Sequence, residues 1–237
     1  MKYTFLSIAM LCPFVTANAC AQEIIVGWEG SPSNGYGFVM PVFSVPKTDT
    51  SAFVIRPAVG YLHYNFREAG GRSDVTSPVV SIGMAYRLRL PRVSMTLGPG
   101  LEARWEHRKQ ANGTRINKTQ TGVTASADFF IQANPLTNLS LIATYSQTNR
   151  YLWSRASIKR QVTNRDFRRN SAISFGAEVT GQGNRDVRQV QLGGLMEVGF
   201  LSKHSSLQFR SGYARLQFID RSIETRPYFG MGLYKAF

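Results

Sequence analysis

From residue 93 to residue 105 the chain alternates without a break. Val93, Met95, Leu97, Pro99, Leu101, Ala103 and Trp105 fall on one parity, and Ser94, Thr96, Gly98, Gly100, Glu102 and Arg104 on the other. Successive side chains of an extended strand point to opposite faces, so this run is a strand with one apolar face and one small, polar or charged face. The same pattern precedes it in Val80, Ile82, Met84, Tyr86 and Leu88, with Ser81, Gly83, Ala85 and Arg87 between them. It recurs in Phe53, Ile55, Val59 and Tyr61, in Val123, Ala125, Ala127, Phe129 and Ile131, and in Val190, Leu192, Gly194, Met196, Val198 and Phe200. Shorter copies cover residues 139–145, 173–179 and 207–213. Past residue 21 no segment repeats its apolar positions at three and four, so helices are not expected.

Turn-forming residues separate the segments at 46–50, 70–71, 112–113, 134–135, 181–184 and 203–206. The result is an antiparallel meander. A soluble β-sandwich alternates too, so the period alone does not fix the class. Length tilts it, because tilted membrane strands need about nine to eleven residues where sandwich strands run about five or six. The polar faces are rich in Gly, Ser, Thr and Ala, which suits the crowded inside of a closed barrel. Trp28, Tyr36, Tyr61, Tyr64, Tyr86, Trp105, Tyr151 and Trp153 lie near segment ends, where interfacial girdles are expected. The chain closes on Phe229, Met231, Leu233, Lys235 and Phe237. That ending resembles the C-terminal signature of bacterial outer-membrane barrels, with Lys235 where an aromatic is favoured.

The fold expected is therefore an all-β, antiparallel transmembrane barrel of about twelve strands, from roughly ten residues per strand and about five to eight per connection. An even number places both ends on the periplasmic side. Counting upward from Gln22, long polar connections at 67–75, 106–118 and 181–186 fall outside the cell. Short ones at 46–50, 89–91 and 134–136 fall inside, with 163–170 and its Arg165, Arg168 and Arg169 as the exception.

The N-terminal segment sets the compartment. Lys2, an apolar stretch from Phe5 to Val15 interrupted by Pro13, and the small residues of Ala19-Cys20-Ala21 read as a secretory signal over residues 1–21, with the barrel over 22–237. Both cysteines, Cys12 and Cys20, leave with it, so the remainder crosses an oxidising compartment with no disulfide. The expected location is the bacterial outer membrane.

Charge adds a second question. Lys and Arg total 28 against 14 Asp and Glu, a net charge of +14. Such a balance favours acidic partners, and an envelope location excludes nucleic acid as the partner while leaving lipid phosphates. Arg104, Arg108, Lys109, Arg115 and Lys118, with His107, form a basic loop suited to outer-membrane lipid, lipopolysaccharide or an anionic polysaccharide. On the faces that alternation turns inward lie Arg56, Arg104, Arg155, Lys159 and Arg226, with Glu102, Asp128, Glu178 and Glu197. They are read as lumen charges, either plugging the barrel or lining a pore.

The three histidines, His63, His107 and His204, have no partners at metal-ligand spacing, and no catalytic, cofactor or metal site is expected. His204-Ser205-Ser206 resembles the reactive pair of outer-membrane lipid A deacylases, in that short string alone. No acid partner is apparent for it.

Several strings are more specific together. Gly35-Tyr36-Gly37-Phe38-Val39, Phe53-Val54-Ile55-Arg56, Gly60-Tyr61-Leu62-His63-Tyr64, Gly98-Pro99-Gly100-Leu101-Glu102, Gly176-Ala177-Glu178-Val179 and the run from Gly183 to Val190 occur in this order. In order and spacing they resemble the BcsS family of cellulose-biosynthesis-associated proteins of alphaproteobacteria. The resemblance implies a non-enzymatic outer-membrane barrel serving cellulose or another exopolysaccharide, with the cellulose synthase machinery as a partner and no catalytic residues. A generic porin-like or adhesin-like barrel, or a lipid A-modifying enzyme, is the alternative.

Overall fold

A computed structural model describes residues 22–31, 34–68, 71–163, 171–184, 187–218 and 222–237. The signal expected at 1–21 and most of the 163–170 connection lie outside them. The described residues form twelve strands: β1 (Glu23–Ser31), β2 (Asn34–Thr48), β3 (Ser51–Glu68), β4 (Gly71–Arg89), β5 (Val93–Lys109), β6 (Arg115–Asn134), β7 (Thr137–Ser146), β8 (Tyr151–Gln161), β9 (Ser171–Gly183), β10 (Val187–Phe200), β11 (Ser205–Phe218) and β12 (Ile223–Ala236).

Each strand pairs antiparallel with its sequence neighbours, and β1 pairs with β12 to close the barrel. The seam runs from Glu23 opposite Ala236 to Gly30 opposite Phe229, and the Phe237 amide donates to the Gln22 carbonyl at 2.9 Å. Closure satisfies the edges that an open sheet would leave bare, as a lipid environment requires. An even strand number brings both termini to one end, here called proximal; the other is distal.

Opposed residues share a face, so the pairing registers carry parity around the whole ring. Outward positions include Val80, Ile82, Met84, Leu97, Leu101, Val123, Leu192 and Met231, as alternation predicts. Met84 is 65% and Leu101 62% exposed. A continuous apolar belt of this kind is stable against lipid tails and not against water.

The connections differ from the reading of the sequence. Residues 67–75 and 106–118 are mostly strand: β3 and β4 pair up to Glu68 opposite Gly71, and β5 and β6 up to Lys109 opposite Arg115. Only residues 110–114 turn, where the Thr114 amide donates to Asn112 Oδ1 at 2.9 Å and Gly113 takes a φ of 86° that its missing side chain permits. Polar composition marked these stretches as loops, but their inward positions pack. Phe66 and Val75 join Ala214, Leu216, Phe218 and Tyr228 in a buried cluster that fills the distal lumen on one side. As a result β3 to β6 rise as a four-stranded sheet: five residues of β3 pass its last pair with β2, at Gly35 and His63. On the other edge, β6 runs beyond its last pair with β7, at Thr124 and Ser146.

Candidate functional site: the barrel lumen

Alternation turns most of the acidic side chains into the lumen, where water is scarce and each needs a cation. Near the proximal end Glu23 takes Arg87 at 2.6 Å and Arg89 at 3.2 Å. A second apolar cluster of Val42, Val54 and Ala85, flanked by Ile25 and Met40, lies in this half. Further up, Arg56 reaches from β3 across two strands to Asp128 on β6, at 2.5 Å, and to Ser126 Oγ at 2.9 Å. Lys159 meets Glu197 at 2.6 Å, and Gln208 donates to the same carboxylate at 3.0 Å.

Glu178 is the hub. Its side chain is wholly buried, with Arg210 Nε at 3.2 Å and Arg155 Nε at 3.5 Å, and the Tyr228 hydroxyl donates to it at 3.0 Å. Arg155 also donates to Thr180 at 3.1 Å and pairs with Glu29. Glu29 stands on β1, with four strands between it and β8 by the shorter route, so this bridge spans the lumen as a chord. Gly193 and Gly212 lie opposite one another in the row between Glu178 and Tyr228. A Cβ on Gly193 would overlap the Tyr228 hydroxyl and the Ser211 carbonyl oxygen, so the tyrosine depends on that glycine for its place. Chords and apolar clusters together cross the middle of the barrel.

The residues expected as one basic loop are divided by the fold. Arg104 is a buried β5 lumen residue, its Nε 3.7 Å from Glu102. Glu102 accepts from Ser146 at 2.5 Å and from Thr148. Arg108 also turns inward, its guanidinium 4.6 Å from the Phe66 ring centre. Lys118 shares that parity, opposite Glu106. Lys109 and Arg115 face outward, directly opposite one another. Arg226 faces the lumen and pairs with Glu224. The reason is again that the hairpin continues as strand, so parity sorts the cations instead of gathering them.

The same parity sorts the aromatics. Trp28, Tyr61, Tyr86 and Trp105 face outward as girdle residues, whereas Tyr36, Tyr64, Tyr151 and Trp153 face the lumen. Position near a segment end suggested a girdle for all eight; counting odd and even along each strand separates them. Parity also exposes lumen residues that the sequence reading passed over: Glu23 and Glu29 alternate with Ile24, Val26 and Trp28, and Arg210 with Phe209 and Ser211.

Among the described side chains the excess of positive charge lies on the outside. Arg72, Lys109, Arg115, Arg188 and Arg215 face outward in the distal half, and Lys47, Arg160 and Lys235 toward the proximal end. Asp74 is the one carboxylate on the outward strand faces among the described side chains.

Nothing among the described residues groups three potential metal ligands. His204 sits exposed in the proximal turn with a φ of 45°, its carbonyl accepting from the Ala236 amide at 2.8 Å. Among the described residues no carboxylate pairs with its ring, so the fold supplies no orienting acid to the His204-Ser205-Ser206 string. A depression of about 330 Å³ at Phe129, Ile131, Leu139 and Leu141 opens on the apolar outer surface and not into the lumen.

Residues 26–237 match the family described as "Cellulose biosynthesis protein BcsS". The chain belongs to the BcsS family. No curated protein sequence matches it. Among solved structures, LpxR from Salmonella typhimurium superposes with a TM-score of 0.53 at 10% identity, over 91% of this chain and 100% of that one. The β-domain of the Bordetella autotransporter BrkA gives 0.50 at 12% identity, over 91% and 97%. At these identities the likeness is one of fold, and it places this BcsS-family barrel in the outer-membrane architecture.

Proposed function

We propose that this BcsS-family protein is an outer-membrane barrel that serves the production or export of cellulose, or a related exopolysaccharide, without catalysing a reaction. Residues 1–21 act as its export signal. The observation that carries the reading is the match of nearly the whole barrel to a cellulose-biosynthesis family, on a fold whose lumen is crossed by the bridge from Arg155 to Glu29. Such a lumen suits a wall-anchored accessory to the cellulose synthase machinery better than a general porin. Among the described residues no carboxylate pairs with the ring of His204. His204, at the proximal end, would face the periplasm, away from the outer leaflet where lipid A lies. Deleting the gene in a cellulose-producing host is expected to reduce surface cellulose, measured as dye-binding polymer that cellulase removes, and the parent gene should restore it. Unchanged cellulose in the deletion strain would refute the reading.

The outward distal cations supply a second partner, lipopolysaccharide phosphate. Lys109 and Arg115 are like charges set directly opposite each other, an arrangement that is unfavourable until an anion joins it. Above the level of Trp105 they stand where outer-leaflet headgroups lie. Attraction of this kind is worth about 1 kcal/mol per cation near an anionic surface and is screened beyond a Debye length of about 8 Å at physiological salt. Changing Arg72, Lys109 and Arg115 together to Gln is expected to weaken lipopolysaccharide binding by more than about tenfold at low salt and to flatten its salt dependence. Binding equal to the parent at low salt would make this face merely solvated.

A further inference from the structure

Four aromatic side chains in the distal half of the lumen have no part in membrane contact. Tyr36, Tyr64, Tyr151 and Trp153 come from β2, β3 and β8 and face inward by register. Tyr36, Tyr64, Glu29 and Arg104 all lie close enough to Tyr151 to interact with it electrostatically, so residues distant in the chain converge on one place. Tyr36 is 41% exposed although it faces inward by register, two residues from the distal start of β2, so open space at the distal mouth adjoins it. It is stacked on Phe38 with ring centres 5.7 Å apart, which fixes its plane.

Two buried polar atoms beside these rings make no hydrogen bond. Arg104 is 7% exposed, and its Nε makes no hydrogen bond. Gln120, directly opposite Arg104 on β6, has an unpaired buried Oε1. Buried donors and acceptors of this kind are normally satisfied, and when they line a space beside aromatic faces they mark a place for a polar ligand. A carboxylate-rich ligand gains little here, because Arg104 and Arg155 already face Glu102, Glu29 and Glu178. An acyl chain would leave the Arg104 Nε and the Gln120 Oε1 without hydrogen bonds. A neutral sugar ring satisfies both demands: its C–H face lies on an aromatic ring, and its hydroxyls both donate and accept.

We propose that the distal lumen around Tyr36, Tyr151, Trp153, Arg104 and Gln120 is a binding subsite for a short segment of neutral β-linked glucan. The choice of glucose as the sugar rests on the cellulose reading above; the neutral, hydroxylated class rests on the site. The chord from Arg155 to Glu29 borders it, Glu29 lying opposite Tyr36 and Arg155 standing 4.9 Å from the Trp153 ring centre, which makes this a vestibule that holds a chain and does not pass it.

The protein carries three tryptophans, and two of them, Trp28 and Trp105, face outward, so Trp153 alone reports on the lumen. In a Trp28→Phe, Trp105→Phe background, refolded into liposomes, cellohexaose is expected to change Trp153 emission saturably and without dependence on salt. Tyr36→Ala should weaken that binding roughly tenfold, while Tyr36→Phe, which keeps the ring, should retain it. Heat-modifiable gel migration verifies that each variant is folded. No saturable change at millimolar cellohexaose, equal affinity in Tyr36→Ala, or tighter binding of oligogalacturonate would each overturn the subsite. Loss of cellulose in the deletion strain with no glucan binding would remove the subsite alone. Glucan binding with unchanged cellulose in that strain would remove the cellulose role and leave the subsite standing.

Discussion

Leu101→Arg is expected to keep most of the protein from inserting into a bilayer. Leu101 faces outward near the middle of the apolar belt, opposite Ile82 on β4 and Val123 on β6, with 62% of its surface exposed to what must be lipid. A guanidinium at that depth costs about 2 to 4 kcal/mol in a transmembrane barrel, and the one outward carboxylate among the described side chains, Asp74, stands away from it at the distal level of Lys109. Ser94→Arg, on the same strand but of inward parity and near the proximal mouth, should cost far less, since the side chain can extend to water. Heat-modifiable migration after refolding into lipid reports both. Equal tolerance of the two substitutions would contradict the assignment of faces.

Period two was enough to reveal the barrel because it reports a geometric necessity: each strand separates lipid from lumen, and Val93 to Trp105 shows the separation residue by residue. Strand ends were harder to read. Near Phe66 and Val75 the outward positions are polar, since they stand beyond the lipid, and only the buried inward cluster with Leu216 and Phe218 shows that the strands continue. For the same reason Arg104 and Lys109 looked like members of one loop, although parity sends one into the lumen and the other outside. Tyr61 and Tyr64 illustrate the point within three residues, one facing lipid and the other the lumen. The pairing of charges across the barrel, Arg155 with Glu29 or Arg56 with Asp128, had no signal in a single chain. It depends on which strands face one another once the ring closes.

Glu178→Leu has the second large expected effect, a loss of roughly 3 to 5 kcal/mol, the range for removing one partner of a buried ionic cluster. The carboxylate is fully buried between Arg155, Arg210 and the Tyr228 hydroxyl, so its removal leaves Arg210 with no carboxylate among the described residues and Arg155 with Glu29 alone. Arg210→Met should cost less, because Glu178 keeps Arg155 and Tyr228 as partners. Urea unfolding of the barrel in lipid vesicles measures both, and a Glu178→Leu barrel as stable as the parent would show that the hub is solvated and not buried.

We infer that this hub, with the chord from Arg155 to Glu29, plugs the lumen. Conductance of the parent protein in a planar bilayer tests it most directly. A lumen crossed by these pairs predicts no stable open level above the bare membrane. Long-lived conductance steps from the folded parent barrel would contradict the account.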